Sequence, residues 1–361
     1  MIKVLVVDDS PTAREYLVHI FESDPAITVI GTAHNGAKAV ELADKLKPDV
    51  ITMDIHMPFM NGIEATRKIM ETNPVPIVIV SGVWDPKEVE TTFRAVEAGA
   101  LAVVQRPRGI GHPEDGNTQS ELISKVKLMS EVRVVKRWAR LRQQPAASFT
   151  QPPTTNHQPI ELRQNVSVIA IGASTGGPMA LRTILSGLPP HFPVPVLIVQ
   201  HIASGFIEGM LDWLSETSSL HFHIAREGEK ILEGHAYFAP DSFDMGVDKH
   251  GMIHLSGDVR PGHIRPSVAY LFRSVTEAYG DRSVGVLLTG MGKDGAEELK
   301  LMKDKGALTI VQDEESCVVF GMPGEAVKID AARYALPPEK IVAALANLDS
   351  RRIEGLKSSK E

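Results

Sequence analysis

The first 107 residues of the chain alternate short apolar runs with longer segments in which apolar residues recur three and four positions apart. The runs are typical of buried parallel strands, and the spacing is typical of helices with one apolar face. Five such runs follow one another, at residues 4–7, 28–30, 50–53, 77–80 and 101–104. This pattern predicts a five-stranded parallel sheet, a (βα)5 arrangement, wrapped by helices.

A second alternating pattern begins near residue 166, after a helical segment at about 119–142 and a stretch rich in Pro, Gln, Thr and Ser. Between its second and third apolar runs, residues 220–258 carry short strand-like pieces separated by turn residues. We expect a doubly wound, mostly parallel α/β domain with an antiparallel annex. The predicted boundaries are 1–130 for the first domain, 131–164 for the helix end and a Pro/Gln-rich linker, and 165–350 for the second domain.

The composition narrows the classes of protein to which the chain could belong. Its 361 residues suit two domains. With 43% apolar and 23% charged residues, and no run of about 20 apolar residues, we expect no membrane insertion. The N-terminus has no secretory signal pattern, so we expect a cytoplasmic protein. A net charge of -7 argues against a nucleic-acid partner.

Four polar side chains come at the ends of predicted strands in the first domain. Asp8 and Asp9 follow the first strand, Asp54 follows the third, and Ser81 follows the fourth. These groups should converge, because the carboxyl ends of parallel strands meet at one edge of a sheet. Three carboxylates repel one another unless a hard cation lies among them, and oxygen ligands suit Mg²⁺. The arrangement fits an acyl-phosphate site with Asp54 as nucleophile, although each residue alone fits an ordinary strand-end loop.

Residues 1–130 resemble the receiver domains of two-component response regulators. Besides the four residues above, the resemblance depends on Asp54-Ile55-His56-Met57-Pro58 and on Arg106-Pro107. It implies a flavodoxin-like fold, Asp54 as the residue that a histidine kinase phosphorylates, and Mg²⁺ bound by Asp8, Asp9 and Asp54. It also implies that Ser81 and Arg106 act at the phosphoryl group, with Arg106 in place of the lysine that is usual in this family.

Three residues of the second domain have the chemistry of a serine hydrolase. Gly172-Ala173-Ser174-Thr175-Gly176 matches G-x-S-x-G, a strand-turn-helix motif whose glycines allow a tight turn and leave the serine hydroxyl exposed. His201 follows the second strand and Asp294 follows the third, so one sheet edge could bring the three together. In such a set the histidine takes the serine proton and the aspartate orients the histidine. Taken alone, the glycines also fit a plain turn or a phosphate cradle, and Asp294 fits a helix N-cap.

Four motifs within about residues 165–345 resemble the chemotaxis protein-glutamate methylesterases, the CheB family. They span residues 171–177, 200–201, 288–295 and 312–323. The resemblance implies a reaction without a cofactor, in which Ser174 is the nucleophile, His201 the base and Asp294 its orienting group, with the Met291 backbone amide near the oxyanion. It implies glutamate methyl esters of methyl-accepting chemotaxis receptors as substrates, glutamine deamidation as a second reaction, and a chemotaxis histidine kinase as phosphodonor.

Two classes of function remain open on the sequence. One is a hydrolase regulated by phosphorylation of Asp54, and the other is a receiver fused to a non-catalytic binding domain. The complete Ser-His-Asp set favours the hydrolase. A DNA-binding output is disfavoured, because no helix-turn-helix pattern follows the linker. We further expect the unphosphorylated first domain to restrain the hydrolase, and phosphorylation to release it.

Overall fold

The computed structural model describes residues 1–82, 86–107, 115–132, 134, 166–258 and 264–358, with the side chains of 86–90, 115–117 and 349–358 left out. The chain divides into two compact units, residues 1–157 and 158–361. Each unit has its own sheet, and each is described by itself. Almost all of the predicted linker lies outside the described residues, so the proposed domain boundaries stay predictions.

The first unit is a five-stranded sheet with the strand order β2-β1-β3-β4-β5, in which every pair is parallel. This confirms the predicted (βα)5 arrangement. Its elements are, in chain order, β1 (Ile2–Val7), α1 (Pro11–Glu22), β2 (Ile27–Ala33), α2 (Gly36–Leu46), β3 (Val50–Met53), α3 (Gly62–Thr72), β4 (Ile77–Ser81), α4 (Pro86–Glu97), β5 (Ala102–Gln105) and α5 (Asp115–Ser130).

The last helix of this unit differs from the prediction of a helix over about 119–142. It begins at Asp115 and ends at Ser130, and residues 131, 132 and 134 are not helical. Residues 135–142 lie outside the described residues. The buried apolar face of α5 is formed by Leu122, Val126 and Met129, and the spacing of three to four residues among them produced the helix prediction.

Local sequence fixes the starts of helices in the first unit. The side chain of Ser10 accepts a hydrogen bond from the backbone of Ala13 and so caps α1. Asn61 and Glu64 form a reciprocal capping box at the start of α3. Both caps satisfy backbone donors that a helix leaves unpaired in its first turn.

The second unit has a larger sheet of seven strands and a separate hairpin. Its elements are, in chain order, β6 (Val168–Ala173), α6 (Gly177–Ser186), β7 (Val196–Gln200), α7 (Ile207–Ser215), β8 (His221–Ile224), β9 (His235–Phe238), β10 (Asp244–Val247), β11 (Ile253–Ser256), α8 (Val268–Tyr279), β12 (Ser283–Leu287), α9 (Ala296–Asp304), β13 (Leu308–Gln312), α10 (Met322–Lys328), β14 (Tyr334–Leu336) and α11 (Pro338–Ser358).

The seven strands lie in the order β14-β13-β12-β6-β7-β9-β8, and every pair is parallel. The expected antiparallel annex exists, but it consists only of the hairpin β10-β11. Strands β8 and β9, from the same 220–258 segment, instead extend the parallel sheet. Short apolar pieces with turns between them do not show whether neighbouring strands will pair parallel or antiparallel. Here the direction is set because β9 pairs with β7, which lies about 40 residues earlier in the chain.

Strand β6 lies at the centre of this sheet, between β7 and β12, and every residue of these three strands is buried. Helix α8 packs its apolar face, with Val268, Leu271, Phe272 and Val275, into the core on this sheet. The three carboxyl ends of β6, β7 and β12 therefore share one edge of a rigid scaffold. Over the described residues, no helix is long and apolar enough to cross a membrane.

Candidate functional sites

Ser174 and His201 directly follow two paired strands. Ala173, the last residue of β6, is in register with Gln200, the last residue of β7. The backbone amide of His201 donates to the carbonyl oxygen of Ala173 at 2.9 Å. Neighbouring strands lie about 4.8 Å apart, so the two functional residues are neighbours because of strand register rather than chain proximity.

Asp294 reaches the same edge from the loop after β12. Its carboxylate Oδ2 lies 3.0 Å from the Nε2 atom of His201, a hydrogen-bond distance. The structure thus brings together the predicted base and its orienting group. Within the described residues, the hydroxyl group of Ser174 and the Nδ1 atom of His201 make no hydrogen bond. The geometry leaves Nδ1 as the ring nitrogen that is free to accept a proton.

The Asp294 carboxylate lies at the start of helix α8. It accepts hydrogen bonds from the backbone amides of Val268 (2.7 Å) and Ala269 (3.0 Å) and from the hydroxyl of Ser267 (3.2 Å). The reading of Asp294 as the cap of its own helix is wrong, because α9 begins at Ala296 and has no side-chain cap. Burial raises the pKa of Asp294, but the bonds from His201 and the α8 amides outweigh it, so its pKa lies below the ordinary value.

The loop that carries Ser174 depends on two glycines. Gly176 has a φ of +79°, a left-handed conformation that glycine adopts without steric cost. A Cβ atom on Gly290 would lie 2.6 Å from the Cβ atom of Ser174, so only glycine lets the β12 loop approach the serine. Ser174 as a whole residue is 7% exposed, and its hydroxyl oxygen is not among the fully buried side-chain atoms that lack a hydrogen-bond partner.

Sequence reasoning missed Gln200, which ties the two functional residues together. Its side chain is 3% exposed, and its Nε2 atom donates to the carbonyl oxygens of Ser174 (2.9 Å) and His201 (2.8 Å). A polar residue at the end of an apolar strand was visible in the sequence. Its partners were not, because one of them lies 26 residues earlier in the chain.

Thr289 supports the same loop from the other side, and it was also missed. Its carbonyl oxygen accepts from the Ser174 amide at 3.0 Å, and its hydroxyl donates to the carbonyl oxygen of Thr175 at 2.9 Å. Its own amide donates to the side chain of Gln312 at 3.0 Å. The serine is therefore held from β7 and from β12 by buried hydrogen bonds.

Met291 lies one residue beyond the glycine that touches Ser174. Among the residues that the structure describes, none accepts a hydrogen bond from the Met291 backbone amide, while its side chain is 53% exposed. An amide without an acceptor in this loop fits a donor to an oxyanion. No oxyanion is present, so this role stays a prediction.

The acidic residues of the first unit do converge. Ligand atoms of Asp8, Asp9 and Asp54 all lie within 4.8 Å of one another. Asp8 and Asp54 are buried, whereas Asp9 is exposed. The Oδ2 atom of Asp8 is buried and makes no hydrogen bond, and its charged neighbour is the Arg106 guanidinium. Three carboxylates that share a single cationic side chain fit a hard divalent cation such as Mg²⁺.

Arg106 bridges two of these carboxylates. Its Nη2 atom lies 2.8 Å from Asp54 Oδ1 and 3.1 Å from Asp8 Oδ2. Its backbone amide donates to the carbonyl oxygen of Ser81, so the arginine and the predicted switch hydroxyl are on adjoining strand ends. Burial nevertheless raises the pKa of Asp54 to about 6, with Arg106 opposing the rise and Asp8 adding to it.

Comparisons with known proteins agree with both halves of this picture. Residues 4–112 match the response regulator receiver domain family, and residues 169–345 match the CheB methylesterase family. The crystal structure of the Thermotoga maritima CheB methylesterase catalytic domain shares 36% identity and covers 51% of this chain and 98% of that chain, with a TM-score of 0.49.

Two curated relatives match over nearly the whole chain. The protein-glutamate methylesterase/protein-glutamine glutaminase of Nitrosospira multiformis is 56% identical over 355 residues, which cover 98% of this chain and 99% of that protein. The protein-glutamate methylesterase/protein-glutamine glutaminase 4 of Geobacter metallireducens is 55% identical over 349 residues, which cover 96% and 99%. The chain therefore belongs to the CheB methylesterase family, with a response regulator receiver domain preceding the methylesterase domain.

Proposed function

We propose that this chain is a phosphorylation-regulated hydrolase that removes methyl esters from glutamate side chains of methyl-accepting chemotaxis receptors. The same site would deamidate glutamine side chains. The observation that carries the proposal is the hydrogen bond between His201 and Asp294 at the sheet edge where Ser174 directly follows the neighbouring strand. The names of the two full-length relatives support both activities.

In the proposed mechanism Ser174 attacks the ester carbonyl carbon and His201 Nδ1 takes the hydroxyl proton. Asp294 accepts the Nε2 hydrogen of His201 and stabilises the imidazolium that forms. The carbonyl oxygen of the substrate becomes an oxyanion, to which the Met291 backbone amide would donate a hydrogen bond. The Asp294 carboxylate already accepts three hydrogen bonds at the start of α8, so it needs no reorganisation when the positive charge of the His201 imidazolium appears beside it.

The leaving group then separates with the proton from His201. The departing molecule is methanol from a methyl ester and ammonia from a glutamine. This step leaves a glutamyl ester on Ser174 Oγ. A water molecule gives its proton to His201 and attacks this ester, which releases a glutamate side chain and restores the serine. Ester and amide substrates thus share an acyl-enzyme and end in the same product.

Regulation in this proposal acts through Asp54. A chemotaxis histidine kinase supplies the phosphoryl group, and the Asp54 carboxylate oxygen forms the acyl phosphate. Asp8, Asp9 and Asp54 would hold Mg²⁺, which neutralises the charge of the phosphoryl group when bound. Arg106 already contacts Asp54 and would pair with the phosphoryl oxygens, and the hydroxyl of Ser81 would donate to them.

The decisive experiment measures methanol release from methylated receptor by the full-length protein and by Ser174→Ala. We expect turnover to fall by at least about 1,000-fold in Ser174→Ala, because removal of a serine nucleophile leaves only residual catalysis. Ser186→Ala is the matched control, since this exposed serine lies at the end of α6 and bonds only to the Thr183 carbonyl.

Two outcomes would contradict the proposal. Turnover by Ser174→Ala close to that of the unaltered protein would remove Ser174 as nucleophile. Receptor binding without methanol or ammonia release by the unaltered protein, phosphorylated or not, would favour a receiver fused to a non-catalytic binding domain. Asp54→Ala tests the regulatory part, because it should abolish any gain in turnover that a phosphodonor produces.

A further inference from the structure

The hairpin β10-β11 is joined to the start of helix α8 by a buried hydrogen bond. Asp244, the first residue of β10, is 3% exposed, and its Oδ1 atom accepts from the backbone amide of Ser267 at 2.9 Å. Ser267 is itself buried and directly precedes α8. A buried carboxylate needs hydrogen-bond donors, and the Ser267 amide supplies one. The hairpin thereby fixes the backbone at the point where α8 begins.

The hydroxyl of Ser267 makes two hydrogen bonds. It accepts from the backbone amide of Tyr270 at 3.2 Å, which caps α8. It also lies 3.2 Å from Asp294 Oδ1. A hydroxyl has one hydrogen to donate, and an ionised carboxylate can only accept, so the serine is the donor in the second bond. One side chain therefore both starts α8 and holds Asp294.

The two oxygens of the Asp294 carboxylate have different partners. Oδ1 accepts from the Ser267 hydroxyl and from the Ala269 amide. Oδ2 accepts from the Val268 amide and lies 3.0 Å from His201 Nε2. The carboxylate cannot turn about its Cβ–Cγ bond without breaking the bonds at Oδ1. Those bonds therefore keep Oδ2 directed at the histidine.

The first residue of α8 fits tightly against two loops of the site. A Cβ atom on Gly172, two residues before Ser174, would collide with a side-chain methyl group of Val268. A Cβ atom on Gly295, next to Asp294, would collide with the same methyl group. Close-packed contacts of this kind transmit small displacements. A shift at the start of α8 would therefore move the loops that carry the nucleophile and the aspartate.

We propose that Ser267 and Asp244 are positioning residues of the esterase reaction. Asp244 fixes the backbone of Ser267, the Ser267 hydroxyl fixes Asp294, and Asp294 orients His201. The inference rests on the proposed hydrolase function. It gives the hairpin β10-β11, which contains no residue of the triad, a part in catalysis.

The expected effect lies in the chemical step. His201 becomes positively charged only during the reaction, so the orientation of its partner matters more in the transition state than in substrate binding. Two backbone amides still hold Asp294 when the serine hydroxyl is removed. We therefore expect kcat to fall by about tenfold with KM nearly unchanged, a smaller loss than removal of a triad residue causes.

The first test measures kcat and KM for methanol release from methylated receptor by Ser267 variants of the full-length protein. Ser267→Gly removes the hydroxyl but leaves a residue that helix N-caps accept, and its kcat should fall by about tenfold. Ser267→Thr keeps the hydroxyl and should restore most of this loss. Ser274→Ala is the matched control, since this hydroxyl also joins α8 to the hairpin but bonds to the backbone of Val247 and Leu271.

The second test removes the contribution of the hairpin. Asp244→Ala lacks the acceptor for the Ser267 amide and should lower kcat by up to about tenfold. Asp244→Asn keeps an oxygen that can accept this bond and should restore most of the loss. Asp248→Ala is the control, because its carboxylate accepts two amides within the same hairpin, those of His250 and Met252.

Unchanged kcat in Ser267→Gly or in Asp244→Ala would overturn the proposal. Equal losses in Ser274→Ala would also overturn it, because the effect would then come from packing of α8 on the hairpin. The same holds if Ser267→Thr loses as much as Ser267→Gly while its Tm equals that of the unaltered protein. Thermal unfolding of every variant separates a loss of alignment from a loss of fold.

Ser174→Ala distinguishes this inference from the proposed function on which it rests. Turnover that is lost in Ser174→Ala but kept in Ser267→Gly would contradict the positioning role alone. Turnover kept in Ser174→Ala would overturn both, since no serine nucleophile would remain to be served by the histidine that Asp294 orients.

Discussion

Asp54 is buried and Asp294 is half-buried, and both lie beyond the carboxyl ends of parallel strands, yet their pKa values shift in opposite directions. Burial raises the pKa of Asp54 to about 6. Burial also acts on Asp294, but its pKa is lowered below the ordinary value. The difference comes from what faces each carboxylate: two further carboxylates and one guanidinium around Asp54, and the amides of α8 with His201 around Asp294.

This contrast teaches that the strand-end edge of a parallel sheet does not itself set the electrostatics of a site. Helix α8 supplies Asp294 with donors that favour its ionised form, which suits a residue that stabilises a transient imidazolium. Around Asp54 the groups that favour the ionised form do not outweigh burial, which suits a nucleophile whose charge a bound cation is to balance. The Asp294 site has its hydrogen-bond donors within the folded chain and is complete in this sense, whereas the Asp54 site needs a ligand to complete it.

The largest expected effect is the loss of kcat when the Asp294 carboxylate is altered. Asp294→Asn should lower kcat for methanol release by about 1,000- to 10,000-fold. In the asparagine an NH2 group replaces one of the two carboxylate oxygens. At the Oδ2 position it would face His201 and Val268, and at the Oδ1 position it would face the amide of Ala269. An N–H group facing Nε2 forces the ring hydrogen onto Nδ1, where the serine proton has to go.

Asp248→Asn is the matched control for that variant. Its carboxylate also accepts two backbone amides, those of His250 and Met252, but it contacts no triad residue. We expect kcat near that of the unaltered protein. A loss of less than about tenfold in Asp294→Asn would mean that His201 does not depend on an ionised partner.

The second expected effect is a change in the free energy of unfolding when the uncompensated negative charge of Asp54 is removed. The folded-state pKa of Asp54, about 6, lies above its ordinary value of 3.8. Protonation therefore favours folding: the stabilising contribution is full below about pH 4 and is lost as the pH rises through about 6. Without metal at about pH 7.5, Asp54→Asn should raise the free energy of unfolding by up to about 3 kcal/mol.

Chemical denaturation in EDTA at about pH 7.5 and about pH 4.5 would measure this difference, which should shrink at the lower pH. Asp9→Asn is the control, since Asp9 belongs to the same cluster but is exposed. An equal gain in Asp9→Asn would assign the effect to general repulsion among the acids. No gain in Asp54→Asn at the higher pH would contradict the charge imbalance.

The smallest expected effect tests how the side chain of Gln200 holds Ser174 and His201 in position. Gln200→Met keeps the volume of this buried side chain but removes the bonds to the carbonyls of Ser174 and His201. We expect kcat to fall by about 10- to 100-fold with KM nearly unchanged, because a loss of alignment affects the transition state more than binding. Thr309→Val is the control, as this buried residue of the same sheet has a hydroxyl that accepts from the Arg333 amide and lies outside the bonds that hold Ser174.

If Gln200→Met and Thr309→Val lost the same activity, Gln200 would be a packing residue of the sheet rather than one that positions Ser174 and His201. Thermal unfolding of both variants separates this outcome from a loss of fold. A change in KM alone would likewise argue against positioning, since alignment of Ser174 with His201 acts on the chemical step.

Local pattern in the sequence predicted the first unit well, because all five parallel strands of that sheet are short apolar runs separated by helices of regular period. It also selected Asp8, Asp54, His201 and Asp294 from their positions after strands. It assigned the whole 220–258 segment to an antiparallel annex, whereas β8 and β9 extend the parallel sheet, and it extended the last helix of the first unit beyond its end at Ser130. Both differences depend on which distant segment packs alongside.

The sequence by itself determined which chemical groups follow which strands, since the alternation of strands and helices is a local property that side-chain polarity encodes. Only the tertiary structure decided that His201 turns Nε2 toward Asp294, that α8 supplies the donors of Asp294, and that Gln200 holds the carbonyl of Ser174, 26 residues earlier in the chain. Those contacts join residues between 26 and 93 positions apart, and no local pattern specifies such partners.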